Sequence, residues 1–190
     1  KNIFDLYLKD STTEPTQLSS KTGDDATSEF SLGEAVFYQN GTWAWTDLQK
    51  NGMKAESIGM LPIYTGVKGE ENQGLATGSE NYWCINSKAS DADKQATKDF
   101  LKWVVTSKTG IESLSSAMGF TTPFKSFSDV KSDNPLVQAA VEDQNSDKTA
   151  VSWNFTMMPS EEWKNQLGSA LLEYAQGTGD WDAVKTAFVD

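Results

Sequence analysis

Apolar positions along the chain fall mostly at helical spacing. Ile3, Phe4, Tyr7 and Leu8 recur at intervals of three and four, so the chain opens inside or just after a helix boundary. A polar loop rich in Ser and Thr runs from Asp10 to Asp24. Asp24 to Leu32 then reads as a helix with aspartates in its first turn, Ala26 and Phe30 inward, and Gly33 as its stop. Ser90 to Ser107 is a long periodic run: Ser90 with Asp93 approximates a capping box, and Ala96, Phe100, Trp103 and Val104 share one face. On that face Trp103 reads as a packing residue. Thr109 to Met118 forms a shorter helix stopped by Gly119, and Pro123 ends the region. Asn134-Pro135 starts another helix, N-cap first and proline at the first helical position, running to about Asn145. Ser160 caps a helix whose face carries Trp163, Leu167, Ala170, Leu171 and Tyr174 until Gly177. Asp180 caps a last one with Trp181, Val184 and Phe188.

Strand-like runs are short. Ser57 to Tyr64 is interrupted by Pro62 and leads into a Gly-rich acidic loop, Thr65 to Gly74, of a composition expected to be exposed and mobile. Gly74 to Ile85 holds two strand-like pieces around Gly78-Ser79-Glu80-Asn81. Ala35 to Tyr38, bounded by Gly33 and Asn40-Gly41, predicts a brief buried strand. Many helices with four or five short strands and no hairpin signal indicate an α/β or α+β class in which helices dominate.

The stretch Leu32 to Leu48 concentrates the candidate chemistry. Thr42 is expected to cap a helix opening at Trp43, and a tryptophan at a strand-to-helix turn sits where α/β folds build ligand clefts. Its flat amphipathic ring suits stacking. On such a helix positions 43 and 45 lie about 200° apart, so both rings cannot face a ligand. Trp43, beside Gly41, has the open approach, whereas Trp45 aligns with Leu48 and joins the packed side. The alternative that one or both rings are core stays open.

Composition narrows the ligand. The 190 residues suffice for one large domain or two small ones. A net charge of −11 and a pI near 4.4 argue against nucleic acid and anionic membrane as partners. Histidine is absent and all 16 cationic side chains are lysine. Histidine-activated serine or cysteine nucleophiles and histidine-ligated zinc are thereby excluded. So is the bidentate guanidinium fork for carboxylate or phosphate. A neutral polyhydroxylated ligand fits better, and no cofactor or metal is expected. Cys84, the only cysteine, forms no intrachain disulfide and, in the apolar run Tyr82 to Ile85, is expected to be buried and inert. No run of about 18 apolar residues exists to span a membrane. The chain opens at Lys1 without an initiator methionine, which suggests a cut sequence and leaves the question of a leader open.

The order of motifs resembles the family-1 extracellular solute-binding proteins, the sugar-binding components of ABC importers that include maltose-binding protein. Five segments carry it across nearly the whole chain: FSLGEAVFYQNGTWAW (Phe30 to Trp45), IGMLP (Ile58 to Pro62), INSKASDADKQATKDFLKWVVTSKTG (Ile85 to Gly110), the GF-TTPF run (Gly119 to Phe124), and the EW-to-YAQGTGDWDAVKTAFVD pattern (Glu162 to Asp190). The resemblance implies a type II periplasmic-binding-protein fold of the α/β class, with ligand held between two lobes. It also implies that the chain is the C-terminal half. About 1–75 and 126–190 would form the helix-rich C-terminal lobe, while about 76–125 would cross back into the N-terminal lobe, whose first half would be absent.

The same resemblance implies site residues. Trp43 matches the first tryptophan of the family's Gly-x-Trp-Ala-Trp run, a sugar-stacking platform. Trp163 lies where the family places another cleft aromatic. Glu80, Asn81 and Tyr82 sit on a crossover loop facing the ligand from the hinge side, although Glu80-Asn81 departs from the small residues of maltose-binding protein. Trp153 is a further candidate, with core or hinge packing as the alternative. The implied activity is non-enzymatic binding of a neutral sugar or oligosaccharide and its delivery to ABC permease subunits. A monomer is expected, extracellular as a cell-surface lipoprotein or periplasmic, touching the membrane only through a lipid anchor outside this chain.

Physical chemistry agrees in kind, since sugars need flat aromatics for their C–H faces and Asn, Gln, Asp or Glu for their hydroxyl rims. Two rivals stand beside this reading. A glycoside hydrolase would need two carboxylates at a fixed separation, for which Glu80 and Glu162 could be proposed. A non-transport glycan-binding or structural surface domain is the other. The sequons Asn40-Gly41-Thr42 and Asn154-Phe155-Thr156 lie at proposed cleft elements and read as accidental.

Overall fold

Helices carry most of the regular structure, and side-chain caps predicted from sequence set many of their ends. The computed structural model describes residues 1–78, 82–118, 120, 122 and 124–189. Its eight α-helices and two-stranded sheet among the described residues agree with a helix-rich α/β class. Contacts group the chain into two units: Lys1–Gln39, Ile63–Asn72 and Ser152–Asp190 form one, Asn40–Pro62 and Gln73–Val151 the other.

The first unit is built on helix ends. Its α1 spans Asn2–Asp10 and α2 spans Gly23–Ser31. Thr22 caps α2 in a full capping box: its hydroxyl accepts from the Asp25 N–H, and the Asp25 carboxylate accepts from the Thr22 N–H. Gly33, at φ +77°, turns the chain just past that helix. Helix α7, Glu161–Gln176, is capped by Ser160 and closed by Gly177 in the left-handed region, while α8, Trp181–Val189, is capped by Asp180. The 3₁₀ turn Pro15–Ser20 and α8 both pack on α7. Phe4, Tyr174 and Trp181 meet at ring separations of 5.1–6.3 Å and draw α1 into the same cluster. The Tyr174 hydroxyl donates to Asp5 and accepts from Lys1, each at 2.6 Å. Lys1 and then Tyr174 hold the Asp5 carboxyl below the usual carboxylate range.

The 65–70 segment of this unit folds around one carboxylate. Glu70 accepts from the Thr65 hydroxyl at 2.8 Å and from the backbone N–H groups of Gly66 and Val67. Desolvation pushes the Glu70 carboxyl upward, but the hydrogen bonds from Thr65, Gly66 and Val67 together outweigh it and the net shift is downward.

Nearly all the buried apolar side chains of the described residues lie in the second unit: Ala44, Trp45, Leu48, Leu75, Leu114, Phe127, Leu136 and Val137. Helix α3 is Trp45–Lys50, α4 is Asp91–Thr106, α5 is Lys108–Glu112 and continues into a π turn over Ser113–Ala117, and α6 is Pro135–Gln144. Ser90, Ser107 and Asn134 cap α4, α5 and α6 with their side-chain oxygens. Strand β1, Gln73–Thr77, pairs with β2, Thr149–Ser152, and α6 packs on β1. Asp143 near the end of α6 accepts from the Leu75 N–H and from Lys148, both at 2.6 Å.

Several expectations fail here. Ala35–Tyr38 and Ser57–Tyr64 form no strand, and of the two pieces expected in Gly74–Ile85 only β1 forms among the described residues. A strand exists only through its ladder, and among the described residues these β-prone runs join none. Val36 and Phe37 are accordingly exposed. Cys84 is exposed, because its apolar run is not covered. On α4, Phe100 and Trp103 stack on each other at 6.0 Å but remain 59% and 48% exposed, so Trp103 is not a buried packing residue. Periodicity identifies the apolar face of a helix; it does not supply the element that covers it.

Candidate functional site

The centre of the candidate site is the turn that presents Trp43. Gly41 is extended at φ −129° and ψ −177°, and the chain then makes a 3₁₀ turn over Thr42–Ala44 before α3 begins at Trp45. Thr42 is therefore not an N-cap as expected; no side chain caps this turn, and the helix starts two residues later than the Trp43 start the sequence suggests. The outcome for the rings is nevertheless the expected one. Trp45 is 6% exposed beside Leu48 at 1%, whereas Trp43 is 61% exposed.

The backbone beneath Trp43 is held at three points. The Asn40 side-chain oxygen accepts from the Gly41 N–H at 2.8 Å, the Gly41 carbonyl accepts from the Ala44 N–H at 3.0 Å, and the Thr42 carbonyl accepts from the Asn134 side-chain amide at 2.8 Å. The indole folds back over Gly41. A Cβ on that residue would stand 2.2 Å from Cη2 and Cζ3 of the ring and 2.6 Å from Cε3. Sequence reasoning gives neither Gly41 nor Asn134 this role. The Gly-x-Trp spacing carries a signal for the first, while Asn134 reads as a helix cap and nothing local announces its second bond.

The other candidates fall in different settings. Tyr82 belongs to the same unit as Trp43 and is 63% exposed in an irregular segment, next to Trp83, which stacks on Phe124 at 6.3 Å. Glu80 and Asn81 lie outside the described residues. Trp153 and Trp163 belong to the other unit, in separate clusters. Trp153 is half-buried against Phe155 at 5.3 Å. Trp163 is half-buried against Phe188, and its indole N–H donates to the Phe188 carbonyl at 3.1 Å. That bond fastens α7 to α8 and leaves the ring with no donor for a hydroxyl.

A shallow, open depression of about 670 Å³ lies along α7, lined by Glu162, Asn165, Gln166, Ser169, Ala170 and Glu173. Their spacing of three and four makes them one helix face, with amide, hydroxyl and carboxylate groups in a row. Of this set, sequence points to Glu162 as candidate chemistry and to Ala170 as a helix-face packing position. Among the described residues no cluster of three or more carboxylate or thiol groups could hold a metal ion, and no helix is long and apolar enough to cross a membrane.

The family model of the bacterial extracellular solute-binding proteins matches residues 3–143 of the 190. The chain belongs to that family. No curated protein matches it. The span shared with the solute-binding proteins holds Trp43, Tyr82 and Asn134, and it ends before Trp153, Trp163 and the α7 face. Membership supports solute binding outside the cell for import.

Proposed function

We propose that this solute-binding protein captures a neutral sugar or oligosaccharide outside the cell and delivers it, chemically unchanged, to the permease subunits of an ABC importer. The observation that carries the reading is Trp43: a 61% exposed indole laid on a glycine, two residues before a ring that is buried. A flat aromatic ring fixed on a pinned turn with one face outward suits the C–H face of a sugar. The absence of arginine and histidine from the whole chain supports a neutral ligand.

On this reading Trp43 stacks on a pyranose. Tyr82, with Glu80 and Asn81 on the same segment, supplies hydroxyl contacts, and Trp153 and Trp163 contribute ring faces. The site closes between two lobes, with about 1–75 and 126–190 in one and 76–125 in the other. The protein is a monomer, held at the cell surface by a lipid anchor beyond these residues or free in a periplasm.

Calorimetric titration of the full-length protein with maltotriose, cellotriose, xylotriose and raffinose tests the proposal, with chromatography of each sugar after incubation. Saturable binding with the sugar recovered intact is expected. Cleaved product would replace the reading with a glycoside hydrolase. Binding of none of the sugars beside tight binding of a peptide or amino acid would retain the family and remove the carbohydrate.

A further inference from the structure

Glycine is commonly retained where the backbone needs a positive φ, but Gly41 has no such need. At φ −129° and ψ −177° its backbone suits any residue. What it lacks is room: a Cβ would overlap the six-membered ring of Trp43 at 2.2 Å. Both peptide groups flanking the glycine are pinned, by Asn40 on the N–H and Ala44 on the carbonyl, and Asn134 holds the next carbonyl from 92 residues away in sequence. The Asn134 side chain does two things at once. Its oxygen caps α6 by accepting from Leu136 at 2.9 Å and Val137 at 3.3 Å, and its amide nitrogen donates to Thr42.

We infer that Gly41 and Asn134 are positioning residues for Trp43: the glycine is the floor on which the indole lies, and the asparagine clamps that floor to the start of α6. One face of the ring is then occupied by backbone and the other is offered outward in a fixed orientation. A ligand meeting a preset ring does not have to order it, and that preorganisation favours affinity. The placement of the ring stands on geometry alone. Its effect on sugar binding rests on the reading of Trp43 as a stacking platform.

Fluorine NMR of the full-length protein grown on fluorotryptophan separates the two, with Trp43→Phe assigning the resonance. Gly41→Ala removes the floor without straining the backbone, so the Trp43 signal should move and broaden while the melting temperature changes little. Asn134→Asp keeps a good helix cap but has no N–H to give Thr42, and it should shift the same signal. In maltotriose, cellotriose, xylotriose and raffinose titrations each variant should bind about fivefold or more weakly, the range of a lost stacking contact. An unmoved Trp43 resonance in Gly41→Ala would overturn the proposal for the glycine, and in Asn134→Asp for the clamp. A shifted resonance with unchanged sugar affinity would leave the positioning in place and sink the stacking role of Trp43 instead.

Discussion

Asn134 donates its side-chain amide to the Thr42 carbonyl at 2.8 Å while its side-chain oxygen caps α6, so one residue serves a helix end and a distant turn together. Removing it should expose both dependencies. Asn134→Ala loses the cap, typically about 1 kcal/mol, and leaves a part-buried carbonyl without its donor, for a total of about 1–3 kcal/mol. Asn134→Asp should lose clearly less. Urea unfolding midpoints of the two variants make the comparison, and equal losses would mean that the cap contributes nothing and the bond to Thr42 carries the whole effect.

Trp43 and Trp45, two residues apart, form an internal control. Trp43→Ala should weaken sugar binding by about 1–3 kcal/mol with little change in melting temperature. Trp45→Ala should lower stability by roughly 3 kcal/mol or more, through the cavity left beside Leu48. A melting curve and a titration on each variant decide it. Loss of binding in a well-folded Trp45→Ala protein would reverse the assignment of the two rings.

Gly110 is the tightest backbone approach of the α4–α5 corner. A Cβ there would lie 2.1 Å from the Val104 carbonyl oxygen, which is main chain and cannot swing aside. Gly110→Ala should cost about 1–3 kcal/mol by overpacking. Near wild-type stability by chemical denaturation would show that the corner opens easily.

Acid stability should depend on Asp143. Lys148, and behind it the Leu75 N–H, hold this carboxyl below its ordinary value. A carboxylate with a depressed folded pKa contributes stability above its unfolded pKa, about 4, and loses it as pH falls through the lower folded value. Asp143→Asn cannot titrate, so its unfolding midpoint should fall less steeply than wild type below about pH 4. Parallel acid limbs would remove Asp143 from the account.

Much of the helical layout was legible because its signals are local. Ser90, Asn134, Ser160 and Asp180 carry the cap signature in sequence and do cap their helices; Gly177 carries the stop signal and takes the left-handed conformation. The strands were less legible, since Ala35–Tyr38 and Ser57–Tyr64 have the right residues but join no strand ladder among the described residues. Burial failed for the same reason at Trp103 and Cys84: apolar spacing names a face but not its cover. In the site, the opposite exposures of Trp43 and Trp45 followed from their positions on a turn, even though the turn is 3₁₀ where a helix was expected. The Asn134 bond to Thr42 could not be read, because it depends on a fold that brings residues 92 apart together.

Cys84 is the only thiol in the chain and it lies in water, two residues from Tyr82. Within these 190 residues a maleimide dye would therefore attach at one native position, without any engineered cysteine, beside a segment proposed to meet the ligand. Its emission would report titrations directly. In an oxidising compartment the same thiol gives two chains one way to join covalently, so a reductant in the storage buffer keeps labelling stoichiometric.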